Sequence, residues 1–228
     1  MDYYRLKELE QLLEATKAHP YSLLIQITAF YGLRRSEVIG LKWENIDFDS
    51  NIFTIHHVVT QTNVDGKSTL IQADLAKNKS SVRSLPLLGG IQERLEALKA
   101  QQEKNKEICG DCYNPNFPDY VFVDEMGNLY RPNMVSDSFA ALLKKHGLRK
   151  IRFHDIRHSC ASLLLANGVP LKQIQEWLGH SDFSTTANIY AHLDYTSKLS
   201  SAQAMVDGIA LPQADHFGSR WDRIAEKG

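Results

Sequence analysis

The chain has 228 residues, of which 43% are hydrophobic and 23% are charged, a composition typical of a globular protein. Its 26 basic and 27 acidic residues give a net charge of −1, so the overall charge does not indicate a nucleic-acid binder. Any affinity for phosphate must come from local clustering of basic side chains. The apolar runs are too short to cross a membrane and no secretory signal precedes them, which predicts a cytoplasmic protein.

The first half of the chain predicts three helices followed by strands. Apolar spacing predicts a helix over residues 4–18, with Leu6, Leu9, Leu12 and Leu13 on its buried stripe. A second helix over 21–31 is ended by Gly32, and a third follows it. Residues 45–62 are rich in β-branched and aromatic side chains, with a turn at 49–51, and further strands are predicted at 69–73 and 82–87.

The second half of the chain is predicted to be mainly helical. An amphipathic helix at 91–107, a loop at 108–119 and a short strand at 120–123 come first. The remaining predicted helices are 133–146, 154–166, 171–178, 185–191 and 195–206. The tail after residue 207 has no sustained period. The sequence therefore predicts one mainly α domain with a small antiparallel β-sheet, an α+β fold.

The segment RFHDIRHS brings an arginine and two histidines to one face of a predicted helix. His154, Arg157 and His158 are three and four residues apart and so share that face. The apolar stripe that contains Ile156 and Cys160 lies opposite, so we expect His154 and Arg157 to point away from the core. A guanidinium group can hold two phosphate oxygens in a fork, which makes this a candidate phosphate site. The alternative is a solvated helix face.

A second arginine occurs in the segment YGLRRSE, where a helix begins after Gly32. A helix N-terminus favours anions through its free amides and its dipole, and Arg34 would strengthen such a site. Glu37, one turn later, could hold Arg34 in place. The alternative is ordinary surface charge.

Two lysines, Lys77 and Lys79, lie in a polar turn between two predicted strands. An exposed lysine usually serves solubility. A lysine on a hairpin that reaches into a cleft can instead donate a proton to a leaving oxygen.

Three further patterns bear on possible binding sites. Residues 161–180 have a helix-turn-helix outline, but Ile174, Trp177 and Leu178 make the second helix apolar, so we expect it to pack. Cys109 and Cys112 form a single C-x-x-C pair without a second pair of ligands. His154 and His158 have the spacing of a zinc-binding helix but lack its glutamate, so no metal site and no cofactor are predicted.

Five segments in a fixed order resemble the tyrosine recombinase, or phage integrase, family over residues 6–199. They are YGLRRSE, AKNKSS, HDIRH, LGH and TTANIYAH. The resemblance implies the tyrosine recombinase catalytic-domain fold. It also implies a set of catalytic residues, with Glu37 as their acidic support: Arg34, Lys77, His154, Arg157, His180 and Tyr190. Lys79 is the alternative to Lys77.

In this family the two arginines hold the scissile phosphate, the two histidines bond it and help to move protons, the lysine protonates the departing 5′-oxygen, and the tyrosine attacks. The resemblance therefore implies a site-specific recombinase or integrase of a phage or conjugative transposon. Such an enzyme cleaves and rejoins double-stranded DNA through a 3′-phosphotyrosine, without metal or ATP. A type IB topoisomerase-like enzyme and a non-enzymatic helix-turn-helix module are the alternatives.

The resemblance also implies an organisation of domains and subunits. We expect a catalytic domain at residues 1–206 and a C-terminal tail at 207–228 that is exchanged between protomers of a homotetramer on DNA. The family's N-terminal DNA-clamping domain does not fit ahead of Leu6, so we expect it to be absent from this chain.

Overall fold

The computed structural model describes residues 2–75 and 82–179. These residues contain seven α-helices and five strands, joined by turns and loops. The helices are α1 (Leu6–Ala15), α2 (Ser22–Tyr31), α3 (Arg35–Ile39), α4 (Gly89–Cys109), α5 (Pro132–Lys145), α6 (Asp155–Ala166) and α7 (Leu171–Leu178). The strands are β1 (Ile46–Asp47), β2 (Ile52–Ile55), β3 (His57–Val64), β4 (Lys67–Asp74) and β5 (Arg83–Pro86). The predicted mainly α fold with small antiparallel β-structure, an α+β fold, is confirmed, although the strands are divided differently from the single sheet that was predicted.

Several predictions fall outside the described residues. They are the two lysines of the 76–81 turn (Lys77 and Lys79), His180, Tyr190, the helices predicted at 185–191 and 195–206, and the tail at 207–228. In the described ranges, no helix combines the length and the apolar character that a membrane crossing requires.

Helix α2 forms the centre of the helical core. Nine of its ten residues are buried, and it packs against α6. It ends at Gly32, which has a left-handed backbone with φ of 63°, a conformation that glycine adopts at low cost. A Cβ atom at Gly32 would overlap Leu178 Cδ2 and would lie 3.3 Å from Cys160 Sγ. Gly32 therefore ends α2 and also allows α6 and α7 to approach it closely.

The apolar stripe of α1 is shorter than predicted. Leu9 and Leu12 are buried and Leu13 packs against the core, as expected. Leu6, in contrast, is 55% exposed. It is the first residue of the helix, where the chain enters α1 at the edge of the core.

The strands form two antiparallel sheets rather than one. The first has the order β1-β2-β5, and the second is the hairpin of β3 and β4. The chain changes partner at His56, between β2 and β3, and the His56 carbonyl accepts a hydrogen bond of 2.7 Å from Leu75 N–H. Because β2 continues almost directly into β3, the sequence gives no sign of this change.

The strand predicted at 120–123 does not form as a strand. Tyr120 and Val123 make only isolated bridges, although all four residues of the segment are buried. The Val121 N–H donates to the Leu41 carbonyl at 3.0 Å, and the Gln102 side chain donates to the Val121 carbonyl at 2.7 Å. The backbone is thus satisfied by separate partners, which is why an apolar segment can be buried here without a ladder.

Candidate active site

Arg34 stands at the junction between α2 and α3. It precedes the first residue of α3, and its backbone N–H donates to Glu37 Oε2 at 2.9 Å. Its guanidinium donates to Glu37 Oε1 at 2.6 Å. The predicted support of Arg34 by Glu37 is therefore present. The Arg34 side chain is 39% exposed, so it is partly accessible to solvent.

Arg157, on α6, is not on an exposed face, and the prediction that it points away from the core is wrong. Its side chain is only 2% exposed. Nη1 donates to the Gly32 carbonyl at 2.6 Å, and Nη2 donates to the Leu178 carbonyl at 2.8 Å. Two carbonyls from distant parts of the chain, with Glu37 Oε2 at 3.9 Å, make burial of this charge possible.

A third arginine, which the sequence reasoning missed, completes the cluster. Arg83 donates to both oxygens of Glu37, from Nη1 to Oε1 at 3.2 Å and from Nη2 to Oε2 at 2.9 Å. One signal could have found it: the alternation of a strand puts Arg83 on the same face as Leu85, which is buried. A basic residue on the inward face of a strand needs an acidic partner, and Glu37 is that partner.

Three positive charges thus surround one carboxylate. Burial raises the pKa of Glu37, but the hydrogen bonds from Arg83 and the charges of Arg83, Arg34 and Arg157 outweigh it and lower the pKa to about 2. Burial and the charge of Arg34 lower the pKa of Arg157 to about 9. Glu37 and Arg157 are therefore both charged at neutral pH. With three guanidinium groups around one carboxylate, the cluster carries an excess of positive charge that suits an oxyanion.

His154 and His158 lie beside this cluster, at the start of α6. Their rings meet edge to face with centroids 5.2 Å apart. Desolvation of the ring lowers the pKa of His154, and the positive charge of Arg157 adds to the effect. Burial lowers the pKa of His158 to about 4, and the electrostatic interaction with His154 contributes to this lowering. Both rings are therefore neutral at pH 7, and a neutral imidazole can accept or donate a proton.

Helix α7 packs by its apolar face, as the sequence predicted. Ile174 and Leu178 are buried, and the Trp177 ring stacks on Tyr31 with centroids 5.8 Å apart. Gly179 ends the helix with a left-handed backbone and φ of 68°. The Arg34 Nη2 donates to the Gly179 carbonyl at 3.3 Å. The end of α7 is therefore part of the arginine cluster.

Of the predicted site residues, the structure brings Arg34, Glu37, Arg157 and His154 together. The predicted Lys77, His180 and Tyr190 lie outside the described residues. Cys109 and Cys112 carry free thiols. Among the described residues, no three histidine, cysteine or acidic side chains are grouped closely enough to hold a metal ion.

Residues 3–197 match the model of the phage integrase family, and the chain belongs to that family. A tyrosine recombinase XerC-like protein of Caldanaerobacter subterraneus is 33% identical over 208 residues, which are 88% of this chain and 53% of the relative. The ICEBs1 integrase of Bacillus subtilis is 29% identical over 71% of this chain and 42% of its own length. The chain thus spans about half the length of the curated relatives that it matches.

Solved structures show the same fold. The Tn1549 transposon integrase in complex with transposon right end DNA superimposes with a TM-score of 0.72 and 22% identity, over 92% of this chain and 66% of that one. The XerH site-specific recombinase bound to difH substrate gives a TM-score of 0.60 and 22% identity, over 86% of this chain and 51% of that one. The described architecture is therefore that of an integrase catalytic domain.

Proposed function

We propose that this chain is the catalytic domain of a site-specific recombinase that cleaves and rejoins double-stranded DNA through a 3′-phosphotyrosine. The observation that carries the proposal is the cluster of Arg34, Arg83 and Arg157 around Glu37. The cluster has more positive than negative charge, and Arg34 remains accessible at its edge. Fixed guanidinium groups stabilise the charge that grows on a phosphate in the transition state.

In the proposed reaction, the Tyr190 phenol oxygen attacks the scissile phosphorus. A bond forms between that oxygen and phosphorus, and the bond between phosphorus and the 5′-oxygen breaks. Lys77, or Lys79 in its place, gives a proton to the departing 5′-oxygen. His154 and His180 hydrogen-bond the phosphate and assist proton movement, and one of them takes up the proton that the Tyr190 phenol loses as it attacks. Rejoining is the reverse attack by a 5′-hydroxyl, so the reaction consumes no nucleotide.

The relatives favour a mobile element as the source of the substrate DNA. Integrases of ICEBs1 and of a prophage are among the related proteins, and the Tn1549 transposon integrase shares the fold. We propose that the full-length protein works in the bacterial cytoplasm as a homotetramer that holds two duplexes. Within it, residues 1–206 carry the chemistry and residues 207–228 are exchanged between neighbouring protomers.

Covalent trapping tests the proposed chemistry. We would incubate the protein with a pool of duplexes that have a randomised central sequence and a nick, so that cleavage releases a short strand and prevents rejoining. After denaturation, adducts are isolated, the modified peptide is identified by mass spectrometry, and the attached DNA is sequenced. We expect the phosphorylated residue to be Tyr190, and the recovered sequences then supply a defined substrate.

The variant Tyr190→Phe should give no adduct, because its ring has no hydroxyl to attack with. Tyr195→Phe, a nearby tyrosine outside the matched segments, is the control and should be trapped normally. An adduct that persists in Tyr190→Phe would overturn the assignment, and a wild-type protein that binds DNA without adduct would indicate a binding module. Recombination between two recovered sites, compared with relaxation of a supercoiled plasmid, separates a recombinase from a topoisomerase-like enzyme.

A further inference from the structure

We propose that Arg83 is a positioning residue of the phosphate site, which acts through Glu37 and through the last turn of α7. No motif of the sequence assigns a role to this arginine. The inference rests on the proposed function, because it assigns to Arg83 the task of placing Arg34 and the end of α7 for phosphate chemistry.

The first observation is the paired contact between Arg83 and Glu37. Nη1 donates to Oε1 at 3.2 Å and Nη2 donates to Oε2 at 2.9 Å, and the Arg83 and Glu37 side chains are 8% and 2% exposed. A planar guanidinium fixes the plane of a carboxylate in this way, which a lysine cannot do. Arg83 is itself fixed, because it is the first residue of β5 and pairs with Ile55 in the sheet.

The orientation of the Glu37 carboxylate in turn fixes the position of the Arg34 side chain. Glu37 Oε1 accepts from Arg34 Nη1 at 2.6 Å as well as from Arg83. Glu37 Oε2 accepts from the Arg34 backbone N–H at 2.9 Å. Both oxygens are thus shared between Arg83 and Arg34. Without Arg83, the carboxylate could rotate, and the partly exposed Arg34 side chain would no longer be held in one place.

The second observation is at the C-terminal end of α7. The Arg83 Nε donates to the Trp177 carbonyl at 3.0 Å. The next two carbonyls, of Leu178 and Gly179, accept from Arg157 and Arg34 respectively. Three successive carbonyls of one helix end therefore receive hydrogen bonds from three different guanidinium groups.

This arrangement suits the electrostatics of a helix end. The last carbonyls of a helix lack partners within it and carry partial negative charge. Helix α7 has no basic residue in its own last turn, so arginines of other elements supply the positive charge. The chain continues from Gly179 directly to His180. Arg83 thus links strand β5 to Glu37 of α3 and to the C-terminal end of α7.

The experiment compares Arg83→Lys and Arg83→Gln with Arg149→Gln. Arg149 is a matched control, because it also forms a fork with a carboxylate, that of Glu8, and also bonds a backbone carbonyl, that of Tyr3. It has no contact with the arginine cluster. Cleavage would be measured over a range of pH on the DNA recovered by trapping. The pKa of Glu37 and the affinity of Arg34 for inorganic phosphate would be measured by NMR.

We expect both Arg83 variants to lose about 100-fold in kcat with KM changed by roughly threefold at most, because a small misplacement of reacting groups acts mainly on the transition state. The pKa of Glu37 should rise in Arg83→Gln, and the acidic limb of the pH profile should move up with it. Affinity for inorganic phosphate should fall about tenfold, whereas Arg149→Gln should match the wild type in all of these measurements.

Folded Arg83 variants with wild-type kcat, an unchanged Glu37 pKa and unchanged phosphate affinity would overturn the inference. If Arg83→Gln does not fold, the same measurements on Arg83→Lys test the inference. Hydrogen exchange of the Arg83 Nε–H in the wild type is a second test and should be slow, because this N–H bonds the Trp177 carbonyl. If the wild-type protein forms no Tyr190 adduct, the proposed function fails. The Glu37 pKa and the phosphate affinity still decide the role of Arg83 in that case.

Discussion

At the scale of single residues, Glu37 determines the electrostatics of the site. It is a nearly inaccessible carboxylate that accepts hydrogen bonds from two guanidinium groups and lies 3.9 Å from a third. Breaking such a buried cluster by removing one partner is costly, because charges are left buried without compensation. Glu37 therefore stabilises the folded protein as well as positioning Arg34.

We expect the stability of the protein to depend on pH through Glu37. The pKa of this carboxyl is lowered from 4.5 to about 2 in the folded state. Its contribution is therefore fully present above pH 4.5 and is lost as pH falls from 4.5 towards 2, by on the order of 3 kcal/mol in all. Denaturant unfolding at a series of pH values measures the free energy of unfolding, and Glu37→Gln should remove this part of the pH dependence.

The matched control for this measurement is Glu8→Gln. Glu8 also pairs with an arginine, but its side chain and that of Arg149 are 33% and 43% exposed. We expect Glu8→Gln to lower the free energy of unfolding at pH 7 by no more than about 1 kcal/mol, whereas Glu37→Gln should lower it by about 3–5 kcal/mol. Equal effects of the two substitutions would contradict the assigned role of Glu37.

At the scale of elements, the junction of α2, α6 and α7 depends on Gly32. Its left-handed backbone ends α2, and its carbonyl accepts a hydrogen bond from Arg157. Leu178 of α7 and Cys160 of α6 occupy the space where a side chain would be. The position of Arg157 is thus tied to the way in which the three helices meet.

Gly32→Ala should therefore destabilise the protein by two effects that can be separated. A left-handed backbone costs an alanine about 1–2 kcal/mol, and the overlap with Leu178 adds about 1–3 kcal/mol. Gly147 follows α5 with a φ of 64° and has no atom within 4 Å of an added Cβ, so Gly147→Ala should show the first effect alone. Unfolding of the two variants under the same conditions gives the difference, and equal losses would exclude the packing effect.

At the scale of the whole molecule, the chain has no excess of positive charge, but positive side chains are concentrated at one site. The chain has a net charge of −1, yet three arginines from α6, β5 and the start of α3 meet at one carboxylate. A local positive site in a nearly neutral chain favours contact with one phosphate over non-specific binding along a duplex.

The proposed exchange of the tail predicts how a truncated protein will behave. Deletion of residues 207–228 should abolish synapse assembly and recombination between two sites, because protomers would no longer be linked. Gel-shift and recombination assays on the recovered DNA measure both. The paired substitution Trp221→Ala and Ile224→Ala should have the same effect through loss of apolar anchors, whereas Glu226→Gln with Lys227→Gln should not. Unchanged assembly and recombination after the deletion would exclude exchange.

Much of the fold could be predicted from the sequence, because its signals are local. Apolar periodicity predicts the described helices, and Gly32 ends α2 as its position after an apolar run predicts. The spacing of three residues between Arg34 and Glu37 was enough to predict their contact, since such neighbours meet at the start of a helix. The order of five short motifs indicated the family, which the comparisons confirm.

Other features were decided only by the tertiary structure. Arg157 was expected at the surface, but carbonyls of Gly32 and Leu178 reach it from 125 and 21 residues away and satisfy it in the interior. Arg83 meets Glu37 across 46 residues. Helical or strand periodicity reports which side of an element is apolar, but it does not report which distant carboxylate or carbonyl will compensate a buried charge. The sequence by itself therefore determined most of the described elements and the family, while packing of distant segments decided how the strands are divided between sheets and how the arginine cluster is built.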